Sequence, residues 1–327
     1  MRVALAINCA DRYSSADVPQ DAFEEFDSRE TVEAISREIA SFGHEVETLE
    51  ADRTFPTTLA AGRFDLVFNL AEGLGGRCRE SQVPGVCEML GIPYSGSDAL
   101  TMGLTLDKAL AKTVVGRSVP VPAGRVFRPG QTLDFSGLAF PLMVKPNAEG
   151  SSKGIRNSSR VVDEAAATAA VAELFRDYQC AVLVEEFLEG AECTVGLVGT
   201  HDPQVIGIME IVPRNIPVHA FVYSLETKRD YQNQVEYRTP PTFAAPTRDR
   251  IAQLARQAFL ELECRDLARI DFRLDRHGVP HFIEANPLPG LSPVKGDLVI
   301  MARGNGRDYH TLMGEILDSA LTRNGLS

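Results

Sequence analysis

The stretch that most constrains the 327-residue chain runs from Ala268 to Asn286. It reads Ala-Arg-Ile-Asp-Phe-Arg-Leu, then Asp275-Arg276-His277-Gly278, then Val279 to Asn286. Polar and apolar residues alternate on either side of a turn sequence, which is the pattern of a β-hairpin. Arg269, Asp271 and Arg273 share one face, opposite Ile270, Phe272 and Leu274. On the return strand Glu284 and Asn286 share a face, opposite Ile283 and Ala285. Pairing the strands brings Asp271, Glu284 and Asn286 together beside an arginine. Hard oxygen ligands in that company suit Mg²⁺ holding nucleotide phosphates, because Mg²⁺ takes few protein ligands and keeps positions for phosphate and water. A solvated edge hairpin has the same alternation, so both readings stand at this point. The run Asn286-Pro287-Leu288-Pro289-Gly290 favours the first, since it makes an abrupt rigid turn just after two polar residues.

Composition narrows the classes. Hydrophobic residues make up 44% and charged residues 24%, a globular balance that excludes disorder and fibres. No run approaches the roughly eighteen apolar residues of a membrane span. The opening Met1 to Asn8 turns polar too quickly for a secretory signal. A net charge of -12 argues against a dedicated nucleic-acid binder but not against nucleotides, which need only a few local cations. The six cysteines, Cys9, Cys78, Cys87, Cys180, Cys193 and Cys264, form no Cys-x-x-Cys pair. That pattern points to a reducing cytoplasm rather than a disulfide or zinc scaffold.

Apolar runs at Val3–Ile7 and Leu66–Leu70 read as buried parallel strands, with a further strand at Val46–Leu49. Between them Val32, Ile35, Ile39 and Phe42 recur at helical spacing, with Ser28 as N-cap and Gly43 as the stop. The acidic stretch Asp11 to Asp27 reads as a long loop. This organisation predicts an α/β protein with an N-terminal doubly wound α/β domain over residues 1–98. A central unit over 99–180 and a C-terminal unit over 181–327 follow.

Three further segments carry chemistry. Lys145 ends a strand and leads into Pro146-Asn147-Ala148-Glu149-Gly150-Ser151-Ser152-Lys153-Gly154, a loop able to aim backbone N–H groups and an ammonium at phosphates. It is not a Walker motif, and a bland flexible loop has the same composition. Val184-Glu185-Glu186-Phe187-Leu188-Glu189-Gly190-Ala191-Glu192 runs from a strand into a carboxylate-bearing linker that can face an adenine and a ribose. Leu106-Asp107-Lys108 puts a lysine at a helix start.

In this order the segments resemble the ATP-grasp superfamily, and within it the D-alanine–D-alanine ligase family. Ile92-Pro93-Tyr94-Ser95-Gly96-Ser97 with Asp107-Lys108, the Lys145–Ser152 loop, and Arg269, Asp271, Phe272, Glu284, Asn286, Pro289 and Gly290 are similar to that family's motifs. The resemblance implies an ATP-grasp fold. It implies that Lys108 and Lys145 contact ATP phosphates and that Ser151 and Ser152 belong to the loop closing over them. Glu185 then holds adenine with the backbone of Glu186 and Leu188, Phe187 walls the ring, and Glu192 binds ribose. Asp271, Glu284 and Asn286 hold two Mg²⁺, with Mn²⁺ able to stand in. Arg269 stabilises the transferring phosphoryl group, and Gly290 offers a backbone N–H to the reacting carbonyl. The implied activity is ATP-dependent carboxylate–amine ligation through an acyl phosphate, by a homodimer acting on small molecules.

The substrate half departs from the family pattern. Asn69 stands where the family has a histidine, and Arg77 and Arg79 precede Glu80. Arg229 stands where the family has a tyrosine and Lys295 where it has a serine; Glu30 lies in the region of its N-terminal acidic substrate residue. Those six residues are expected at the substrate site, with a substrate pair larger or more acidic than two D-alanines. Genuine D-alanine–D-alanine ligation and a nucleotide-binding regulator without catalysis are the alternatives.

Overall fold

A computed structural model describes residues 1–13, 21 and 23–326. Its first sheet is parallel, with β1 (Arg2–Ile7) between β2 (Glu45–Glu50) and β3 (Leu66–Asn69). β1 is apolar on both faces because both are covered. Val3, Leu5 and Ile7 meet Val32, Ile35 and Ile39 of the helix Arg29–Ser41, while Ala4 and Ala6 meet Leu59 of the helix Phe55–Gly62. The predicted cap forms, with the Thr31 N–H donating to Ser28 Oγ at 3.3 Å. The chain leaves this helix through Gly43 at φ +86°, a left-handed position where glycine has no steric penalty. Of the predicted loop Asp11–Asp27, residues 14–20 and 22 lie outside the described residues.

The second sheet comprises β4 (Gly124–Phe127), β5 (Leu142–Pro146), β6 (Arg160–Val161) and β7 (Val182–Glu186), in the order β4-β7-β5-β6. All its pairings are antiparallel. Ala167, Val171 and Leu174 of the helix Glu164–Tyr178 cover it. The sequence reading puts Val182–Glu186 at the start of the third unit. Its hydrogen bonds place it inside the second sheet instead, because a four-residue apolar run does not say which neighbour it pairs with.

The third sheet contains β8 (Glu192–Gly199), β9 (Gln204–Pro213), β10 (Val235–Arg238), β11 (Asp266–Leu274) and β12 (Pro280–Asn286), in the order β10-β9-β8-β11-β12. One face packs on the helix Ala245–Glu261 through Ile251, Leu254, Ala258 and Phe259. Ala111 and Val115, from the helix Lys108–Val115, join the same core. The opposite face is apolar at one end, where Val198, Ile206, Met209 and Leu267 pack under the last two helices, and polar at the other, along Arg269, Asp271 and Arg273. The last two helices, Asp297–Gly304 and Tyr309–Arg323, bury Leu298, Val299, Leu312 and Ile316 in one core with Val3 and Leu5 of β1. No helix among the described residues is long and apolar enough to cross a membrane.

Candidate active site

The hairpin forms in the register the alternation requires. Arg269 faces Asn286, and Asp271 faces Glu284 directly across the ladder. A bulge after Asp271 leaves Ile283 as an extra residue on β12. Ile283 therefore lines the polar cleft beside Glu284, not the buried face that simple alternation gives it. A bulge re-aims one side chain in this way without any mark in the polar–apolar pattern.

The polar face is a dense charge array. Arg269 grips Asp271 with Nε and Nη2, each at 2.9 Å, and reaches Asp297 Oδ2 with Nη1 at 2.7 Å. Thr194 on β8 donates its hydroxyl to Asp271 Oδ1 at 2.6 Å. Lys108 Nζ lies 3.1 Å from Glu284 Oε2. Burial raises the Glu284 carboxyl, but Lys108, Lys145 and Arg269 outweigh it and hold the group far below the usual carboxylate range. Asp271 shifts upward, through burial first and despite Arg269. Two facing carboxylates, one of them held ionised, and the Asn286 amide make an all-oxygen donor set. Among the described residues no group of three His, Cys, Asp or Glu side chains forms a complete cage. The fit to a divalent cation rests on donor chemistry alone: two carboxylates and an amide are few, hard oxygen ligands, and phosphate and water supply the rest.

Against this face lies a cleft walled by Lys145, Phe187, Leu188, Glu192, Ile283 and Glu284. Lys145 Nζ sits 2.7 Å from Glu185 Oε1, and Lys112 pairs with the other oxygen. Burial pushes the Glu185 carboxyl up, yet the two lysines hold it below its ordinary value. The resemblance gives this carboxylate to adenine; here two ammonium groups occupy it. The Phe187 ring lies under the Arg273 guanidinium at 4.3 Å, and Arg273 Nη1 binds Glu192 Oε2 at 3.1 Å. Ser151 and Ser152 adopt left-handed φ of 48° and 58°. Ser152 is tied to the Tyr223 carbonyl at 3.2 Å.

A second cavity, about 480 Å³, adjoins the first and shares Tyr223, Lys228, Arg269 and Asp297 with it. Gly290, Asn286, Ser151, Arg229 and Lys295 line it. Arg229 is matched by Glu24 at 2.8 Å.

The other sequence-predicted substrate residues lie elsewhere. Glu30 stands exposed in the first turn of its helix, where a carboxylate faces free N–H groups. Asn69 is buried, receiving the Ala71 N–H at 3.1 Å. Arg77 is mostly in solvent and reaches back to Asp107 at 2.8 Å. Arg79 is buried, but against Glu25 at 3.2 Å and Glu149 at 3.3 Å. Lys153 joins both acids at 2.8 Å. The basic cluster of the sequence is thus one surface pair and one structural network.

Sequence reasoning missed Lys112, Lys228, Asp297 and Glu25. Lys112 looks like any lysine on an amphipathic helix, and Asp297 like an ordinary helix-start acid. Lys228 precedes Arg229, which the resemblance already sets at the substrate site, and that adjacency could have found it.

Comparison with known proteins gives a direct result. Residues 132–318 match the family model described as "D-ala D-ala ligase C-terminus". A Sinorhizobium fredii protein described as uncharacterized, y4sG, is 37% identical over 86% of this chain and 84% of its own length. The D-alanine–D-alanine ligase of Geobacter sulfurreducens is 30% identical over 88% of this chain and 87% of its own. In fold, the chain is similar to the Bacillus anthracis D-alanine–D-alanine ligase complexed with ATP, at a TM-score of 0.77 and 21% identity across 99% of each chain.

Proposed function

The chain belongs to the D-alanine–D-alanine ligase family of ATP-dependent carbon–nitrogen ligases, and from that premise we propose that it joins two amino-acid-like substrates other than a pair of D-alanines. The observation carrying the ligation itself is the shared wall, and the replacements at Arg229 and Lys295 carry the choice of substrates. Arg269, Lys228 and Asp297 border both cavities, so a phosphoryl group from the first meets a carboxylate in the second at those residues.

Lys145 and Lys108 take the ATP phosphates, with Ser151 and Ser152 in the loop above them. Lys112 acts through Glu185 to fix Lys145. Phe187 and Glu192 flank the adenosine, and the backbone of Glu186 and Leu188 meets the adenine edge. Asp271, Glu284 and Asn286 hold two Mg²⁺, which supply charge neutralisation for phosphoryl transfer when bound. The substrate carboxylate attacks the γ-phosphorus and ADP leaves. The resulting acyl phosphate is attacked by the second substrate's amine, and phosphate departs from the tetrahedral centre. Arg269 and the Gly290 N–H offset the oxyanion, while closure of the Ser151–Ser152 loop keeps water from the acyl phosphate.

With Arg77 and Arg79 outside the cavity and Arg229 matched by Glu24, the case for an extra substrate carboxylate contracts to Lys295. Its ammonium makes no salt bridge among the described residues, although its charge acts on Asp27, and it takes the acceptor's own carboxylate in a charge-assisted contact. The family resemblance extends the reading to a homodimer.

The test is product identity. ATP with Mg²⁺ and a substrate pair is expected to yield ADP and phosphate, and Glu284→Gln to lower turnover by about a hundredfold or more while raising the Mg²⁺ requirement. AMP and pyrophosphate, or a Glu284→Gln enzyme of normal rate at ordinary Mg²⁺, defeats the reading.

A further inference from the structure

The second cavity has an apolar side that the ligase reading leaves without a role. Tyr231, in the short helix Tyr231–Gln234, stacks on Tyr237 of β10 with ring centroids 5.7 Å apart and planes 13° from parallel. The Tyr237 hydroxyl is fastened to the Tyr223 hydroxyl at 2.6 Å. All three rings line the cavity, together with Leu288 and Ile300. Beneath them Ile211, Phe221 and Val235 form a small core that holds the rings in place. At about 480 Å³ the space falls within the roughly 300–1,000 Å³ of an ordinary small-molecule pocket.

We propose that Tyr231 and Tyr237 form a side-chain shelf that selects an aromatic ring on one of the two substrate amino acids. The inference rests on the ligase reading above and names the substrate class of that same site. Two near-parallel rings present a flat π face, and a third ring laid on them gains the offset-stacking contact beyond plain area burial. The hydroxyl pair and the underlying core fix the rings beforehand, so little freedom is lost when the ligand binds. An aliphatic chain gains burial alone, and alanine has no ring to lay on the shelf.

The chain contains no tryptophan, so indole fluorescence in a mixture comes only from the ligand. D- and L-tryptophan are titrated with the full chain, ADP and Mg²⁺ by fluorescence anisotropy, and alanine by competition. ADP formation is followed in parallel with ATP and each amino acid pair. One tryptophan enantiomer is expected to bind at least about fivefold tighter than alanine, the size of one stacking contact. Tyr231→Ala is expected to abolish that ratio and Tyr231→Phe, which keeps the ring, to retain it. Equal affinity for tryptophan and alanine, or a ratio that survives Tyr231→Ala, overturns the shelf. Should ADP still form with small amino acids in that case, the ligase reading stands without the shelf. A Tyr231-dependent tryptophan preference with no ADP from any pair leaves the ring site and removes the ligase reading.

Discussion

Glu80 is nearly buried beside Arg79, with Glu25 and Glu72 close by. Burial, ahead of the opposing pull of Arg79, raises its carboxyl to about 8 from an ordinary 4.5. A raised folded-state value means that the folded chain binds the proton more tightly than the unfolded one. The stabilisation is complete below the unfolded value of 4.5 and is lost as pH rises through about 8. Glu80→Gln fixes the neutral form, so its Tm is expected to overtake the wild-type Tm toward pH 8 and to fall less across that interval. Melting curves over the range decide it; a Tm difference that does not change with pH removes the assignment. At this scale the residues readable from sequence were those whose partners lie in the same motif. Asp271 and Glu284 lie on one hairpin, so their pairing is local, and the bulge after Asp271 sets the register that puts them face to face. Glu25 meets Lys153 from across most of the N-terminal half, and nothing in an acidic loop marks which of its carboxylates will be buried. Arg77 and Arg79 show the converse. Both carry the charge expected at an anionic substrate, yet neighbouring acids satisfied them first.

Strands and helices put Arg269 to use through Asp297, which opens the helix Asp297–Gly304. That helix lies against β9 at Gly207, where an added Cβ meets Asn305 Nδ2 at 2.7 Å, Met301 Cβ at 2.9 Å and the Met301 carbonyl at 3.0 Å. Asn305 can swing away, but the Met301 backbone cannot move without moving its helix. Gly207→Ala is therefore expected to cost about 1–3 kcal/mol by overpacking. Turnover should fall roughly tenfold as Asp297 shifts from Arg269. Urea unfolding and steady-state rates measure the two effects; unchanged stability together with an unchanged rate refutes the coupling. Element types were legible because each has its own period. The helix Arg29–Ser41 carried its cap, buried stripe and stop in the sequence. Pairing was not legible for β7, since a short apolar run fits either neighbouring sheet, nor was the bulge that turns Ile283 into the cleft.

Over the whole molecule, the first strand and the last helix share one core. Leu312 and Ile316 pack with Val3 and Leu5, and the same cluster reaches Ile206 and Met209 of β9. Polar ties reinforce the seam. Asp266 accepts from the Gly96 N–H at 2.9 Å and from Arg323 Nη2 at 2.7 Å, and Arg323 also binds the Tyr94 carbonyl at 2.8 Å. The stripe along Tyr309–Arg323 announces a buried face but not the sheet it covers, so the 1–98 boundary hides this dependence. The first sheet carries Leu70 and Glu72 to the second cavity, and the third sheet carries Arg269. Holding these two bodies at a fixed angle is what keeps the cavity whole. Ile316 is fully buried in the seam, and Ile316→Ala is expected to cost about 2–5 kcal/mol. Because the core is shared, hydrogen exchange should quicken in β1 as well as in β8 and β11, and unfolding should stay a single transition. An exchange increase confined to the last helix, with β1 amides protected as before, means that the first sheet stands by itself.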